Sequence, residues 1–136
     1  MSRRFEELDW QDTDMGEISL RRRLEPTTRR DVYEVKLGEE FLMSSLFTVA
    51  EIELARLGLR AVEGQDLDVV VGGLGLGYTA VAALEDPRVR TVTVVEALGP
   101  VISWHVRRLL PDTAELTADP VADANCVLLP IVAWMV

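Results

Sequence analysis

The chain of 136 residues contains one cysteine and one histidine. A single cysteine, Cys126, excludes an intramolecular disulfide and any multi-cysteine metal site. It suits a reducing cytoplasm, and in its apolar run it reads as a small buried hydrophobe. No acid or cysteine stands at catalytic spacing from His105, which is expected on a helix surface. No metal-ligating cluster is expected anywhere. Positive charge is scarce: 14 Lys and Arg against 23 Asp and Glu leave a net charge of −9. That excludes non-specific nucleic-acid binding, which needs a cationic surface. Such a balance serves mainly solubility and would suit a small cationic partner. Long apolar runs are missing as well. No uncharged stretch, the apolar Asn125–Val136 included, reaches the roughly 20 residues that span a bilayer, so no membrane role is expected. The start, MSRRFEELDW, has no apolar run after its arginines and is not a secretory signal.

What is present is enough apolar sequence for one core: 49% of residues are hydrophobic and 27% charged. Residues 1–17 are polar and acidic and read as a loose N-terminal arm. Ile18–Leu24, ISLRRRL, alternates weakly and reads as a solvated edge strand; Arg21, Arg22 and Arg23 cannot all share one face. Asp31–Leu37 alternates cleanly, Gly38-Glu39 is a tight turn, and Glu40–Met43 returns. A β-hairpin subdomain over 18–45 follows from this. Leu46–Leu59 has the apolar spacing of an amphipathic helix, with Thr48 or Ser45 as its cap.

The chain is organised around residues 66–77, DLDVVVGGLGLG. A β-branched run feeds a glycine cluster, then a small-residue helix at Tyr78–Leu84, then a second run, Val89–Glu96, that ends in an acid. Asp86-Pro87 breaks the helix, and Pro100 opens another that runs to Leu110, stopped by Pro111. On that last helix Trp104 is expected in the core, while Arg107 and Arg108 suit the negative end of the dipole. Two apolar runs joined by a helix predict a right-handed βαβ unit with a parallel pair, covered on both faces. The fold class is therefore α/β, with a partial Rossmann-like domain over 46–136. Cys126–Val136 is a further apolar strand, interrupted by Pro130, after an acidic loop at 112–123.

Glycines let a strand turn sharply into a helix while the backbone approaches a ligand. Gly73, Gly75 and Gly77 give G-x-G-x-G, not the G-x-G-x-x-G of dinucleotide sites, and no G-x-x-x-x-G-K-[ST] phosphate loop exists. Glu96 follows Gly77 by nineteen positions at the end of the next strand. A carboxylate there can accept hydrogen bonds from a ribose diol. Strand, glycine turn, helix, strand and acid in this order predict a nucleoside site. Each part alone is a packing turn or an exposed strand-end acid.

VVVGGLGLGYTA followed by VTVVEALGPVISWH resembles the spermidine synthase-like branch of the class I S-adenosylmethionine-dependent methyltransferase superfamily. EEFLMSSLFTVAEIELARLGL resembles the hairpin-to-helix segment of the same branch, and the likeness covers residues 18–119. The resemblance implies a Rossmann-like sheet that binds S-adenosylmethionine, its decarboxylated form or methylthioadenosine. Gly73, Gly75 and Gly77 would line the amino-acid or aminopropyl end and Glu96 would hold the ribose. A small-molecule amine would be the acceptor, in polyamine biosynthesis. The sequence departs from the family pattern in several places. Val71 replaces the acid that often opens the glycine motif, and Phe41–Glu53 has no match for the polyamine-binding tyrosine and glutamine. The segment with the catalytic aspartate is missing. Asp123–Ile131, DANCVLLPI, is similar to the fourth strand that carries it, but Pro130 stands in its place. No catalytic residue is assigned, and the incomplete sheet reads as a truncation, with a tail after Asp119 from an altered frame or a deletion.

Three functions compete. The first is an aminopropyl- or methyltransferase. The second is an inactive truncated domain that forms a homo-oligomer or needs a complementing chain. The third is a non-catalytic nucleoside-binding module.

Overall fold

The computed structural model describes residues 5–110 and the strand at 126–130. The chain divides into two compact units, Met1–Thr48 and Val49–Val136.

The first unit is a four-stranded antiparallel meander of β1 (Phe5–Thr13), β2 (Gly16–Leu24), β3 (Asp31–Leu37) and β4 (Glu40–Ser44), in that order across the sheet. Residues 5–13 are therefore a strand and not a loose arm. Charge explains why so polar a segment pairs: Glu6 lies opposite Arg22 in register and its carboxylate accepts from the guanidinium. This leaves β2 inside the sheet, not at its edge. Its arginines split by face as alternation requires. Arg21 and Arg23 each donate to the buried Glu34 at 2.6 Å, while Arg22 reaches Glu6 and Asp31. Ile18, Leu20, Val32 and Val35 are buried. The turn at Gly38-Glu39 is where the sequence places it, with Gly38 at φ 57°.

The second unit runs α1 (Val49–Arg60), β5 (Leu67–Gly72), α2 (Tyr78–Leu84), β6 (Val89–Glu96), α3 (Gly99–Val106) and β7 (Cys126–Pro130). Its three strands are parallel in the order β5-β6-β7. This is a partial Rossmann-like α/β sheet, as the sequence predicts. Helix α2 is made of small residues, and Ala80, Ala82 and Ala83 are buried where it packs on β5 and β6. Arg88, in the turn before β6, donates to the Leu59 and Val62 carbonyls at 2.8 Å and to Asp86. It thereby ties the turn before β6 to the chain leaving α1, sharing the Leu59 carbonyl with the Val62 N–H.

Three expectations are corrected. Among the described residues β5 is not covered on both faces: Val71, like Val92 and Val94 of β6, is buried, but Val70, on the opposite face of β5, is 72% exposed. Right-handed crossovers in a sheet that grows in one direction put α2 and α3 on the same side. Helix α3 ends at Val106 and not at Leu110. The Arg108 N–H bonds to the His105 carbonyl and the Leu109 N–H to the Trp104 carbonyl, with Arg108 at φ 55°. That pair of bonds is a Schellman cap, which stops the helix before Pro111. Finally, β7 pairs with β6, Pro130 lying opposite Glu96. In a doubly wound sheet the fourth strand lies beside the first, so β7 takes the place of the third, and Pro130 does not replace an aspartate of the fourth. The expectations for the loop at 112–123, the tail after Asp119 and the burial of Cys126 fall outside the described residues and side chains.

Among the described residues no helix is long and apolar enough to cross a membrane.

Candidate functional site

The carboxyl ends of β5 and β6 meet at the glycine loop. The Gly73 N–H donates to the Val95 carbonyl at 2.7 Å, so the loop leaves β5 still stitched to β6. Gly73, Gly75 and Gly77 have φ of 94°, 51° and 88°. All three predicted loop glycines thus occupy backbone conformations that side chains disfavour. Gly77 is also the residue from which α2 starts. Between the glycines, Leu74 and Leu76 are buried and anchor the loop to the core.

Glu96 sits at the end of β6 with 8% of its surface exposed. Its Oε2 accepts from the Leu74 N–H and its Oε1 from the Leu98 N–H, each at 2.8 Å. The carboxylate therefore ties the glycine loop to the approach of α3. An ionised carboxylate has about four acceptor positions, so each oxygen retains one beyond these bonds. The structure brings Glu96 and the glycine loop together, as the sequence predicts from their spacing.

His105 is not on the helix surface. It is 3% exposed, and its Nε2 lies 2.7 Å from the Gly75 carbonyl. A carbonyl only accepts, so Nε2 carries the proton. Burial holds the imidazole below its ordinary pKa, against the Gly75 bond and the nearby Glu96 charge, which favour protonation. The signal was in the sequence: Val101, Trp104 and His105 fall at i, i+3 and i+4, and all three are buried on one face of α3. Trp104 is core, as expected, with no exposed surface.

A cleft of about 420 Å³ lies between α1 and β5, lined by Leu54, Leu59, Val62, Val70 and Thr79. It reaches the glycine loop only at Gly72 and Gly73, and Glu96 is not in its wall. No group of three or more His, Cys, Asp or Glu among the described residues could hold a metal ion.

No family model and no curated protein matches the chain. Solved structures do. A spermidine synthase in complex with the transition-state analogue AdoDATO superposes with a TM-score of 0.68 at 17% identity, over 91% of this chain and 39% of that one. A spermidine synthase from Thermotoga maritima gives the same TM-score and identity, over 91% of this chain and 40% of that one. The chain thus has the fold of part of a spermidine synthase, as its sequence resemblance implies. It spans about two fifths of the length of these structures.

Proposed function

We propose that the second unit carries the adenosyl-sulfonium site of a spermidine synthase-like domain. The ligand is S-adenosylmethionine or its decarboxylated form. Glu96 accepts from the ribose hydroxyls, and Gly73, Gly75 and Gly77 line the amino-acid or aminopropyl end. One observation carries the reading: a buried carboxylate at the end of β6 grips the glycine loop through Leu74 and keeps acceptor capacity on both oxygens. The likeness in fold to a spermidine synthase crystallised with AdoDATO supports the same ligand class.

Such a ligand supplies a carbon already activated by a sulfonium sulfur. The residues of this chain bind and orient it. The transferred group is aminopropyl or methyl, and the acceptor is a small amine, for which a net charge of −9 is favourable. Aminopropyl transfer would place the domain in polyamine biosynthesis. The single cysteine suits a reducing compartment, and the reading takes the cytoplasm as its setting. No base is assigned, because no described acid at the site lacks a structural task.

Calorimetry with methylthioadenosine, S-adenosylmethionine and decarboxylated S-adenosylmethionine tests the proposal. Binding of at least one is expected, with the 2′-deoxy form of methylthioadenosine about tenfold weaker, as for a lost hydrogen bond to a charged group. No heat with any of them in a folded sample refutes the reading. Equal affinity for the deoxy form removes the ribose role of Glu96.

A second reading is supported by β5. Among the described residues nothing pairs with its outer edge, and Val70 beside that edge is exposed. In this reading the domain is completed by another chain or a second copy, and it is inactive or only binds nucleoside when alone.

A further inference from the structure

A loop with glycines at every second position has little conformational preference of its own. Its shape must come from what holds it. Two side chains grip the stretch between Gly73 and Gly77 from opposite ends of one dipeptide. Glu96 takes the Leu74 N–H at 2.8 Å, and His105 meets the Gly75 carbonyl at 2.7 Å. The first comes from the end of β6 and the second from the last turn of α3, a helix fixed by the buried Val101 and Trp104.

The carbonyl of Gly75 and the N–H of Leu76 belong to one planar trans peptide, so they point in opposite directions. Holding the carbonyl against α3 therefore turns the Leu76 N–H away from it. Rotation of that peptide plane changes ψ of Gly75, which a glycine at φ 51° tolerates, and φ of Leu76, so the hold of His105 acts together with the backbone preference of Leu76 to set its orientation.

We propose that His105 is a positioning residue for the ligand site, its Nε2–H fixing the Gly75–Leu76 peptide and with it the shape of the glycine loop. The inference rests on the reading of that loop as a ligand site. His105 acts through the loop backbone and is not a catalytic residue. The role needs a donor at the position of Nε2, which defines the test. The amide nitrogen of glutamine can reach that position. The amide of asparagine reaches only the nearer ring nitrogen's place, and phenylalanine keeps bulk without a donor.

Two readouts on the full chain separate the claims: methylthioadenosine affinity by calorimetry, and hydrogen exchange of the Leu76 and Gly77 amides. In His105→Gln both are expected within about threefold of wild type. In His105→Phe and His105→Asn exchange accelerates and affinity falls about tenfold, as for one lost hydrogen bond. Should His105→Phe not fold, the glutamine and asparagine variants, alike in polarity, carry the comparison. Equal exchange in the glutamine variant and the other variants overturns the inference. If wild type binds no methylthioadenosine while loop exchange still follows the donor, the ligand reading falls and the hold of His105 on the loop stands.

Discussion

Leu74 donates its backbone N–H to Glu96 across 2.8 Å, linking the middle of the glycine loop to the end of the neighbouring strand. The same carboxylate takes the Leu98 N–H, so it has a structural task before any ligand arrives. Glu96→Ala leaves two N–H groups without their acceptor and is expected to destabilise the second unit by about 2–4 kcal/mol. Glu96→Gln keeps one acceptor and loses about 1–2 kcal/mol. Urea denaturation measures both. Affinity loss in the alanine variant therefore mixes loop disorder with loss of a ribose contact, and the deoxy ligand on wild type separates them.

Acid should strike the first unit through Glu34. Burial pushes its carboxyl up, but the hydrogen bonds from Arg23 and Arg21 outweigh this and hold it below the ordinary 4.5. A depressed carboxylate stabilises the fold fully above the unfolded value and loses that contribution as pH falls through the folded one. Stability should fall below about pH 4.5. Glu34→Gln should flatten that branch and cost about 1–3 kcal/mol at pH 7, because Arg21 and Arg23 stay partly solvated once unpaired. Chemical denaturation from pH 3 to 7 gives both figures.

The second unit should respond at a higher pH. The buried His105 titrates below the ordinary 6.5, so the unfolded chain takes up a proton before the folded one does. Stability is then fully present above pH 6.5 and declines as pH drops below it. His105→Gln has no such group and should lack that slope between pH 5 and 7. A wild-type denaturation midpoint that does not change over this range would contradict the burial of a neutral imidazole.

Arg108 occupies the left-handed position of the α3 cap at φ 55°, with its side chain exposed. A non-glycine residue there costs roughly 1–2 kcal/mol, partly offset by the greater unfolded freedom of glycine. Arg108→Gly should therefore stabilise the protein by about 0.5–1 kcal/mol. A thermal melt that moves downward would show that the arginine side chain has a contact worth more than the strain.

Val70 is the exposed large hydrophobic residue on the open face of β5. Val70→Lys should change stability by less than about 0.5 kcal/mol, as at most surface positions. It should also reduce any concentration-dependent association seen by light scattering. A stable monomer at high concentration in the wild type would remove the need for a completing chain.

Much of this was legible in the sequence. The strands at Leu67–Gly72 and Val89–Glu96, the helix between them and the glycine turn all follow from β-branched runs and small residues. The juxtaposition of Glu96 with the loop follows from right-handed crossover geometry. Less visible was β1, whose charged residues carry no apolar signal; its pairing depends on arginines in a different strand. Coverage of β5 was misread because a continuous apolar run states what a strand could bury, while helix placement decides what it does bury. His105 was misread because its type was weighed above its position four residues after Val101.

The meander of β1 to β4 has a consequence in time. Each strand pairs only with its neighbours in sequence, across turns of a few residues. Such pairings close small loops and lose little chain entropy, whereas β5 and β6 must wait for the helix between them to form. As the chain emerges from the ribosome, the meander is complete before β5 has a partner. The N-terminal sheet should thus be folded and already protected from proteases while the glycine loop is still unformed.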